Sequence, residues 1–179
     1  MNNMGRPTVL LADDEETLRT NLAQVLQEEG FEVLACPDGS TALRALKAAS
    51  VDAIITDLRM PGVSGMDLIE HARKLVPEAT IIVITAFGEV ETAVEAMKKG
   101  ARDYICKPLI FDDLIFRLKR LLDHEDLVKQ NKLLRAQIQQ AYDFSGIVAE
   151  SAAMSAILGT IRRIANTMSN VLICGESGT

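Results

Sequence analysis

Residues 54–65 read "IITDLRMPGVSG", an apolar run that leads into a charged residue and a turn. Two isoleucines and a threonine have the character of a buried strand, yet the run ends at Asp57, whose charge is costly to bury without a partner. Pro61 and Gly62 follow and predict a tight turn. The sequence therefore places a carboxylate at the end of a buried strand. Such a costly position indicates that the Asp57 carboxylate has a function.

Short apolar runs of this kind recur along the chain, and each is followed by helix-like sequence. The predicted strands are "TVLLA" (8–12), "FEVLA" (31–35), "VDAIIT" (51–56), "TIIVITA" (80–86) and "DYIC" (103–106). The predicted helices cover about 15–28, 38–48, 65–75, 89–98 and a longer segment from about 112. Strands that alternate with helices predict a doubly wound α/β domain, whose parallel sheet is covered on both faces. The charged "FEVLA" suits an edge, because central parallel strands are more continuously apolar.

Composition narrows the class of protein. A chain of 179 residues with 48% hydrophobic and 25% charged residues predicts a soluble globular domain and part of another. No apolar run approaches the ~20 residues of a membrane helix, and "MNNMGRP" lacks a signal-peptide core, so we expect a cytoplasmic protein without a membrane partner. The net charge is −6 and the sequence has no basic cluster, so its charge does not indicate a nucleic-acid-binding surface in this chain. Cys36, Cys106 and Cys174 have no paired spacing and are expected to be reduced, partly buried thiols.

Polar residues at the strand ends indicate a site. In an open parallel sheet, ligands bind outside the carboxyl ends of the strands. The residues found there are Asp13 and Asp14 after strand one, Asp57 at strand three, Thr85 at strand four and Lys107 after strand five. Any one of them alone is more often a solvated loop residue or a helix cap. Together, at one rim of the sheet, they are poorly explained by chance.

The charges at this rim predict its chemistry. Carboxylates this close repel by about 4 kcal/mol per pair at an effective dielectric near 20, so cations have to balance them. Mg²⁺ prefers oxygen ligands and keeps positions open for phosphate oxygens, and Lys107 supplies a second positive charge. This combination predicts a phosphoryl-transfer site. No glycine-rich turn follows strand one, and "ADDEE" would repel a pyrophosphate, so dinucleotide binding is excluded.

These motifs resemble the receiver domains of two-component response regulators, over residues 6–121. The resemblance depends on "LLADDEE", "TDLRMPGVSG", "ITAFG" and "ARDYICKP", which occur in the right order on the right elements. It implies a flavodoxin-like fold, with a five-stranded parallel sheet in the order 2-1-3-4-5. It also implies that Asp57 accepts a phosphoryl group from a sensor histidine kinase.

The resemblance implies roles for the other rim residues as well. Mg²⁺ would be bound by Asp14, Asp57 and the backbone carbonyl of Arg59, with Asp13 acting through water. The remaining residues would form the phosphoryl contacts and the switch: Thr85 and Lys107 would contact the phosphoryl oxygens, and Tyr104 would rotate inward behind Thr85.

The last predicted helix is longer than a receiver needs. From Asp112 to about Ala141 the chain contains no Gly or Pro, which predicts a helix of ~45 Å. Its first apolar stripe suits packing on its own domain and comprises Leu114, Leu118 and Leu121. A second stripe alternates spacings of four and three residues and comprises Leu127, Asn131, Leu134 and Ile138. We expect the second stripe to form a homodimeric coiled coil within a 112–141 linker, with Asn131 setting the register. The alternative is that this stripe also packs on its own domain.

The tail, residues 142–179, has a different character. It predicts a helix, a strand "NVLIC" and a glycine turn. The final "GESGT" fills the first places of the phosphate-binding pattern G-x-x-x-x-G-K with Gly175, Glu176, Ser177, Gly178 and Thr179. With the preceding receiver and "SGIV", the tail resembles the start of the AAA+ ATPase domain of nitrogen-regulator-type activators of sigma-54 RNA polymerase. Two residues depart from the usual patterns, Ala149 in place of a glycine and Leu109 in place of a phenylalanine.

The chain is therefore interpreted as a regulatory fragment, not itself an enzyme, of a bacterial transcriptional activator. ATP would be a cofactor only of the whole protein, which would reach sigma-54 RNA polymerase and DNA through further domains. One alternative is a metal-dependent phosphohydrolase with Asp57 as nucleophile, but Arg59 stands where such an enzyme carries a second acid. Another is a dimerisation module that is never phosphorylated, which the intact set of rim residues opposes.

Overall fold

The computed structural model describes residues 6–85, 90–141, 151–165, 170–172 and 174–175. The chain forms two compact units, Met1–Gln130 and Asn131–Thr179, which are considered separately. In the described part, no helix is long and apolar enough to cross a membrane.

The first unit is built on one parallel sheet. Its strands are β1 (Thr8–Ala12), β2 (Glu32–Cys36), β3 (Ala53–Asp57), β4 (Thr80–Thr85) and β5 (Asp103–Cys106). All pairings are parallel and the order is β2-β1-β3-β4-β5. This confirms the predicted doubly wound, flavodoxin-like sheet. The charged second strand lies at an edge and the most apolar strands lie at the centre, as their composition indicated.

Helices follow the strands in alternation. They are α1 (Glu16–Glu28), α2 (Gly39–Ala48), α3 (Gly65–Leu75), α4 (Val90–Lys98) and α5 (Phe111–Ala141), with α6 (Ala152–Ile164) in the tail. Helices α2 and α3 begin at clear caps: the Asp38 side chain accepts from Thr41 N at α2, and Ser64 and Asp67 form a capping box at α3.

Apolar residues alternate along the strands and build a core on each face of the sheet. Leu10, Ile54 and Ile81 face one side, where buried residues of α2, α3 and α4 cover them. Leu11 and Ile55 face the other side, where α1 and α5 pack through residues such as Leu22, Leu114 and Leu118. Because both faces are dry, polar groups of the sheet can reach a ligand only at the strand ends.

Helix α5 extends as predicted over 31 residues, a length of about 46 Å. Its first apolar stripe packs inward, with Leu114 and Leu118 fully buried. On the second stripe Leu127 and Leu134 are 64% and 57% exposed. The side chain of Ile138 lies outside the described residues, so that position of the stripe stays a prediction.

The predicted helix of the tail is present, and the described residues of the predicted strand are not in a strand. Ser151 caps α6 by accepting from Met154 N. In "NVLIC", the described residues 170–172 and 174 form no strand, because no neighbouring strand pairs with them and an isolated strand is not stable. Of the predicted phosphate loop only Gly175 is described; Glu176, Ser177, Gly178 and Thr179 lie outside the described residues. Cys36 is buried, whereas Cys106 and Cys174 are exposed, so the expectation of partial burial holds for one of three cysteines.

Candidate functional site

The carboxyl ends of β1, β3, β4 and β5 meet at one rim of the sheet. Asp57 is the last residue of β3 and Thr85 the last of β4, while Asp13 and Lys107 directly follow β1 and β5. Asp13 is fully buried, and Asp57 and Thr85 are 8% and 2% exposed. The site thus collects polar side chains where the apolar strands end.

Lys107 is the cation that joins the two buried acids. Its Nζ donates to Asp57 Oδ2 at 2.6 Å and to Asp13 Oδ2 at 3.2 Å. Burial alone would lower the pKa of the Lys107 ammonium, but the hydrogen bonds and charges of Asp57 and Asp13 outweigh it and raise the pKa above its ordinary value. Lys107 is therefore a fixed positive charge at the rim.

Asp13 is held on every side. Its Oδ1 accepts from Glu15 N at 2.8 Å, and its backbone N donates to Cys36 O at 3.3 Å. Burial raises the pKa of its carboxyl, while the bonds from Glu15 N and Lys107 oppose that shift. Each carboxylate oxygen of Asp13 therefore has its own donor, which fixes the orientation of the side chain.

Three carboxylates converge at this point. Asp13, Asp14 and Asp57 each offer an oxygen, and these oxygens lie within 4.8 Å of one another. Asp14 is exposed, so the cluster opens to solvent on its side. An all-oxygen donor set that is partly open to water fits a hard divalent cation such as Mg²⁺, which keeps several water ligands. The chemistry of the donors therefore agrees with the predicted metal.

The turn after β3 is shaped around Asp57. Arg59 N donates to Asp57 Oδ1 at 3.0 Å. Gly62 has a φ of +76°, which favours glycine, and a Cβ at Gly65 would collide with the backbone carbonyl of Asp57. The turn thus brings α3 against the strand end. The backbone carbonyl of Arg59 stays a predicted metal ligand.

Thr85 and Tyr104 lie on neighbouring strands, but they do not share an environment. Thr85 is buried, and its carbonyl accepts from Lys107 N at 2.8 Å. Tyr104 is 40% exposed, with its backbone N donating to Asp103 Oδ1 at 2.8 Å. The inward position predicted for the tyrosine ring is therefore not its position here. Its rotation stays a prediction.

Sequence reasoning missed several groups that shape the site. Backbone donors at Glu15 and Arg59 carry no signature in the sequence, because every residue but proline offers the same N–H. Arg19 was also missed; its Nη1 donates to the backbone carbonyl of Asp13 at 2.8 Å. An arginine one turn into the helix that follows an acidic turn is a signal that could have suggested it.

Comparison with known proteins agrees with this geometry. The profile of the response regulator receiver domain matches residues 9–119. The C4-dicarboxylate transport transcriptional regulatory protein DctD of Rhizobium meliloti is 33% identical over 173 residues, 97% of this chain and 38% of that protein. The DNA-binding transcriptional regulator NtrC of Azospirillum brasilense is 35% identical over 176 residues, 98% of this chain and 36% of that protein. The chain thus spans a little over a third of the length of these relatives.

Solved structures give the same result. A receiver domain from Clostridium thermocellum has a TM-score of 0.64 and 33% identity, and the match covers 68% of this chain and 98% of that one. NtrX from Brucella abortus, solved with ADP, has a TM-score of 0.69 and 31% identity, with 90% of this chain and 35% of that chain covered. The likeness to NtrX extends beyond the sheet domain.

Proposed function

Because the chain belongs to the response regulator receiver family, we propose that it is a phosphorylation-dependent switch in which Asp57 accepts a phosphoryl group from a sensor histidine kinase. One observation carries this proposal: the Asp57 carboxylate ends β3 with Lys107 Nζ at 2.6 Å and two further acids beside it. A cluster of acids with a fixed lysine is suited to holding a phosphoryl group between cations.

Transfer proceeds by displacement at phosphorus. A carboxylate oxygen of Asp57 attacks the phosphorus of a phosphohistidine, a P–O bond forms, the P–N bond breaks, and the imidazole leaves with its electron pair. Lys107 and the Thr85 hydroxyl would contact the phosphoryl oxygens, because Thr85 ends β4, the strand beside β3, and Lys107 follows β5 with its Nζ 2.6 Å from Asp57 Oδ2. The turn residues hold the carboxylate in place, through the bond from Arg59 N.

The metal would be held by Asp13, Asp14, Asp57 and the backbone carbonyl of Arg59. A bound Mg²⁺ would supply positive charge against the acids and the incoming phosphoryl oxygens. The exposed Asp14 side chain lies where such a cation would meet water and substrate.

The consequence of phosphorylation is a change of conformation. The new phosphoryl oxygens draw the Thr85 hydroxyl, β4 follows, and Tyr104 turns from its exposed position into the space behind Thr85. The linker helix carries the signal as a homodimer, because its second stripe presents Leu127 and Leu134 to solvent along with Asn131.

The relatives indicate the wider context. By its resemblance to nitrogen-regulator-type activators, the receiver and linker (6–121 and 112–141) control an AAA+ ATPase that begins in 142–179. The whole protein would bind ATP, act on sigma-54 RNA polymerase in the cytoplasm and bind DNA through other domains. The phosphate loop from Gly175 to Thr179 belongs to that ATPase.

Acetyl phosphate with Mg²⁺ tests the proposal. We expect intact-mass spectrometry to find one added phosphoryl group on the native chain, none on Asp57→Asn, and an undiminished gain on Asp123→Asn, which alters an exposed acid of α5. Chelation of Mg²⁺ should abolish the gain. Labelling of Asp57→Asn at the native rate would show that the acceptor is misassigned, and rapid turnover without an accumulated phosphoprotein would favour a phosphohydrolase.

A further inference from the structure

We infer that Arg19 is a positioning residue for the metal-binding acids, and that it acts through the peptide bond that joins Asp13 to Asp14. The inference rests on the proposed function, since it concerns the Mg²⁺ site of that function. Arg19 lies in the first turns of α1, and its Nη1 donates to the backbone carbonyl of Asp13 at 2.8 Å. Its own N–H donates to Glu15 O at 2.9 Å, which fixes the helix start beneath it.

This contact completes the fixation of Asp13. The Asp13 N–H is bound to Cys36 O, Oδ1 to Glu15 N and Oδ2 to Lys107 Nζ. The carbonyl is the remaining polar atom of the residue, and Arg19 provides its donor. Asp13 lies ahead of Glu15, whose carbonyl accepts the first bond of α1, so the Asp13 carbonyl stands outside the helix and accepts from the Arg19 side chain.

The bound carbonyl belongs to the peptide that leads into Asp14. Since that peptide is planar, fixing its oxygen also fixes the direction in which the Asp14 backbone starts. Asp14 is exposed and has fewer restraints of its own than buried Asp13. Arg19 therefore orients the exposed member of the acid pair by holding the peptide plane between Asp13 and Asp14.

The charge of Arg19 and its hydrogen bond have opposite effects on a cation. A guanidinium close to the site repels Mg²⁺. If charge were the only effect of Arg19, removing its side chain should therefore tighten Mg²⁺ binding. Loss of the hydrogen bond frees the peptide and should weaken binding, because the Asp14 carboxylate then has to be ordered by the metal itself. The sign of the change in affinity therefore separates a positioning role from a mere neighbouring charge.

The test is a Mg²⁺ titration followed by amide NMR on the native chain, Arg19→Ala, Arg19→Lys and Arg44→Ala. Arg44 is the control for charge: it lies on α2 and its guanidinium donates to Thr41 Oγ1 at 3.1 Å. We expect the Mg²⁺ dissociation constant to rise about tenfold in Arg19→Ala. It should rise less in Arg19→Lys, which keeps the charge and one donor, and should not rise in Arg44→Ala.

A second readout separates positioning from a general structural role. Labelling by acetyl phosphate should return to the native rate in Arg19→Ala at saturating Mg²⁺, since the acceptor and Lys107 are intact. An unchanged or lowered dissociation constant in both Arg19 variants would overturn the inference, and so would a labelling defect that saturating Mg²⁺ leaves uncorrected. If Arg19→Ala does not fold, Arg19→Lys decides alone. Failure of the native chain to bind Mg²⁺ would instead contradict the proposed function.

Discussion

At the scale of single residues, the site is a set of charges that balance one another at a strand end. Asp57 and Lys107 were predicted from their positions, because residues at the carboxyl ends of parallel strands must share a rim. That one ammonium reaches both Asp57 and Asp13 could not be read from the sequence, since it depends on the rotamer and the depth of each side chain. The same holds for Tyr104, whose exposure reflects local packing and not its place in a motif.

Loss of the lysine should make stability depend on pH in a defined direction. Burial raises the pKa of the Asp13 carboxyl, and Lys107 lowers it. In Lys107→Met the burial remains and the lysine is lost, so the ionised Asp13 carboxylate destabilises the folded state more than in the native chain. We expect the free energy of unfolding at pH 7, without Mg²⁺, to fall by about 2 kcal/mol. The deficit should shrink as the pH falls and the carboxyls take up protons. Urea unfolding at several pH values, with exposed Lys98→Met as the control, measures this; a deficit that grows toward acid would contradict it.

Substitution of Thr85 should preserve phosphorylation and reduce the conformational response to it. Thr85→Ala keeps the acceptor and the cations, so the chain should still take up a phosphoryl group, but it lacks the hydroxyl that follows that group. Amide exchange over residues 85–105, with and without beryllofluoride, measures the response. We expect a clear change in protection in the native chain and little in Thr85→Ala. An equal response in both would remove Thr85 from the switch.

At the scale of elements, strands and helices were predictable to within a residue or two at most ends, because apolar periodicity and caps act locally. The run "VDAIIT" illustrates the error: β3 covers Ala53–Asp57, two residues later at its start and one at its end than the predicted run. The strand predicted in "NVLIC" was wrong for its described residues, because a strand depends on partners that a local pattern cannot reveal.

One arginine joins α3 to the turn after α4. Arg73 on α3 donates to the carbonyl of Gly100 through Nε and Nη2, and Nη1 donates to Pro77 O at 2.8 Å and Ala79 O at 3.3 Å. Contacts between a side chain and distant carbonyls leave no local signal, so this clamp was not predicted. It ties the end of α3 to the turn after α4.

Removal of this clamp should destabilise the domain. In Arg73→Ala three carbonyls lose a charged donor, and we expect the free energy of unfolding to fall by about 2 to 3 kcal/mol. Arg73→Lys should recover only part of this loss, because one ammonium cannot reach all three oxygens. Exposed Arg120→Ala serves as the control and should stay within about 0.5 kcal/mol of the native chain. Urea unfolding measures all three, and equal midpoints would mean that water replaces the arginine without loss.

The second stripe of α5 should control association. If Asn131 lies in the seam of a parallel pair, Asn131→Leu should strengthen association and loosen its register, whereas Leu134→Asp should weaken association by placing a charge there. Sedimentation equilibrium measures both variants against the native chain. Association that is unchanged in both would mean that the stripe packs on its own domain.

At the scale of the whole molecule, the polar rim and the end of the long helix belong to successive parts of the chain. The sheet of Met1–Gln130 carries the acids and the lysine at one rim, and α5 continues from that unit into Asn131–Thr179 along the chain. The sequence predicted the polar rim and the long helix because each has its own pattern, strand-end acids in one and a stretch without Gly or Pro in the other. The phosphate loop of the tail stays a prediction. The sequence could not define the packing of the tail, whose apolar residues have no local partner that a pattern can identify.

The central claim is that the Asp57 carboxylate forms an acyl phosphate, and the position of that acyl phosphate can be measured directly. Borohydride reduces an aspartyl phosphate to homoserine, so the native chain, treated with acetyl phosphate and Mg²⁺ and then reduced, can be digested and sequenced by mass spectrometry. The account predicts homoserine at position 57 alone, and none in the untreated chain. Homoserine at Asp13, Asp14 or another acid, or an unreduced Asp57 in protein that carries the phosphoryl mass, would contradict it.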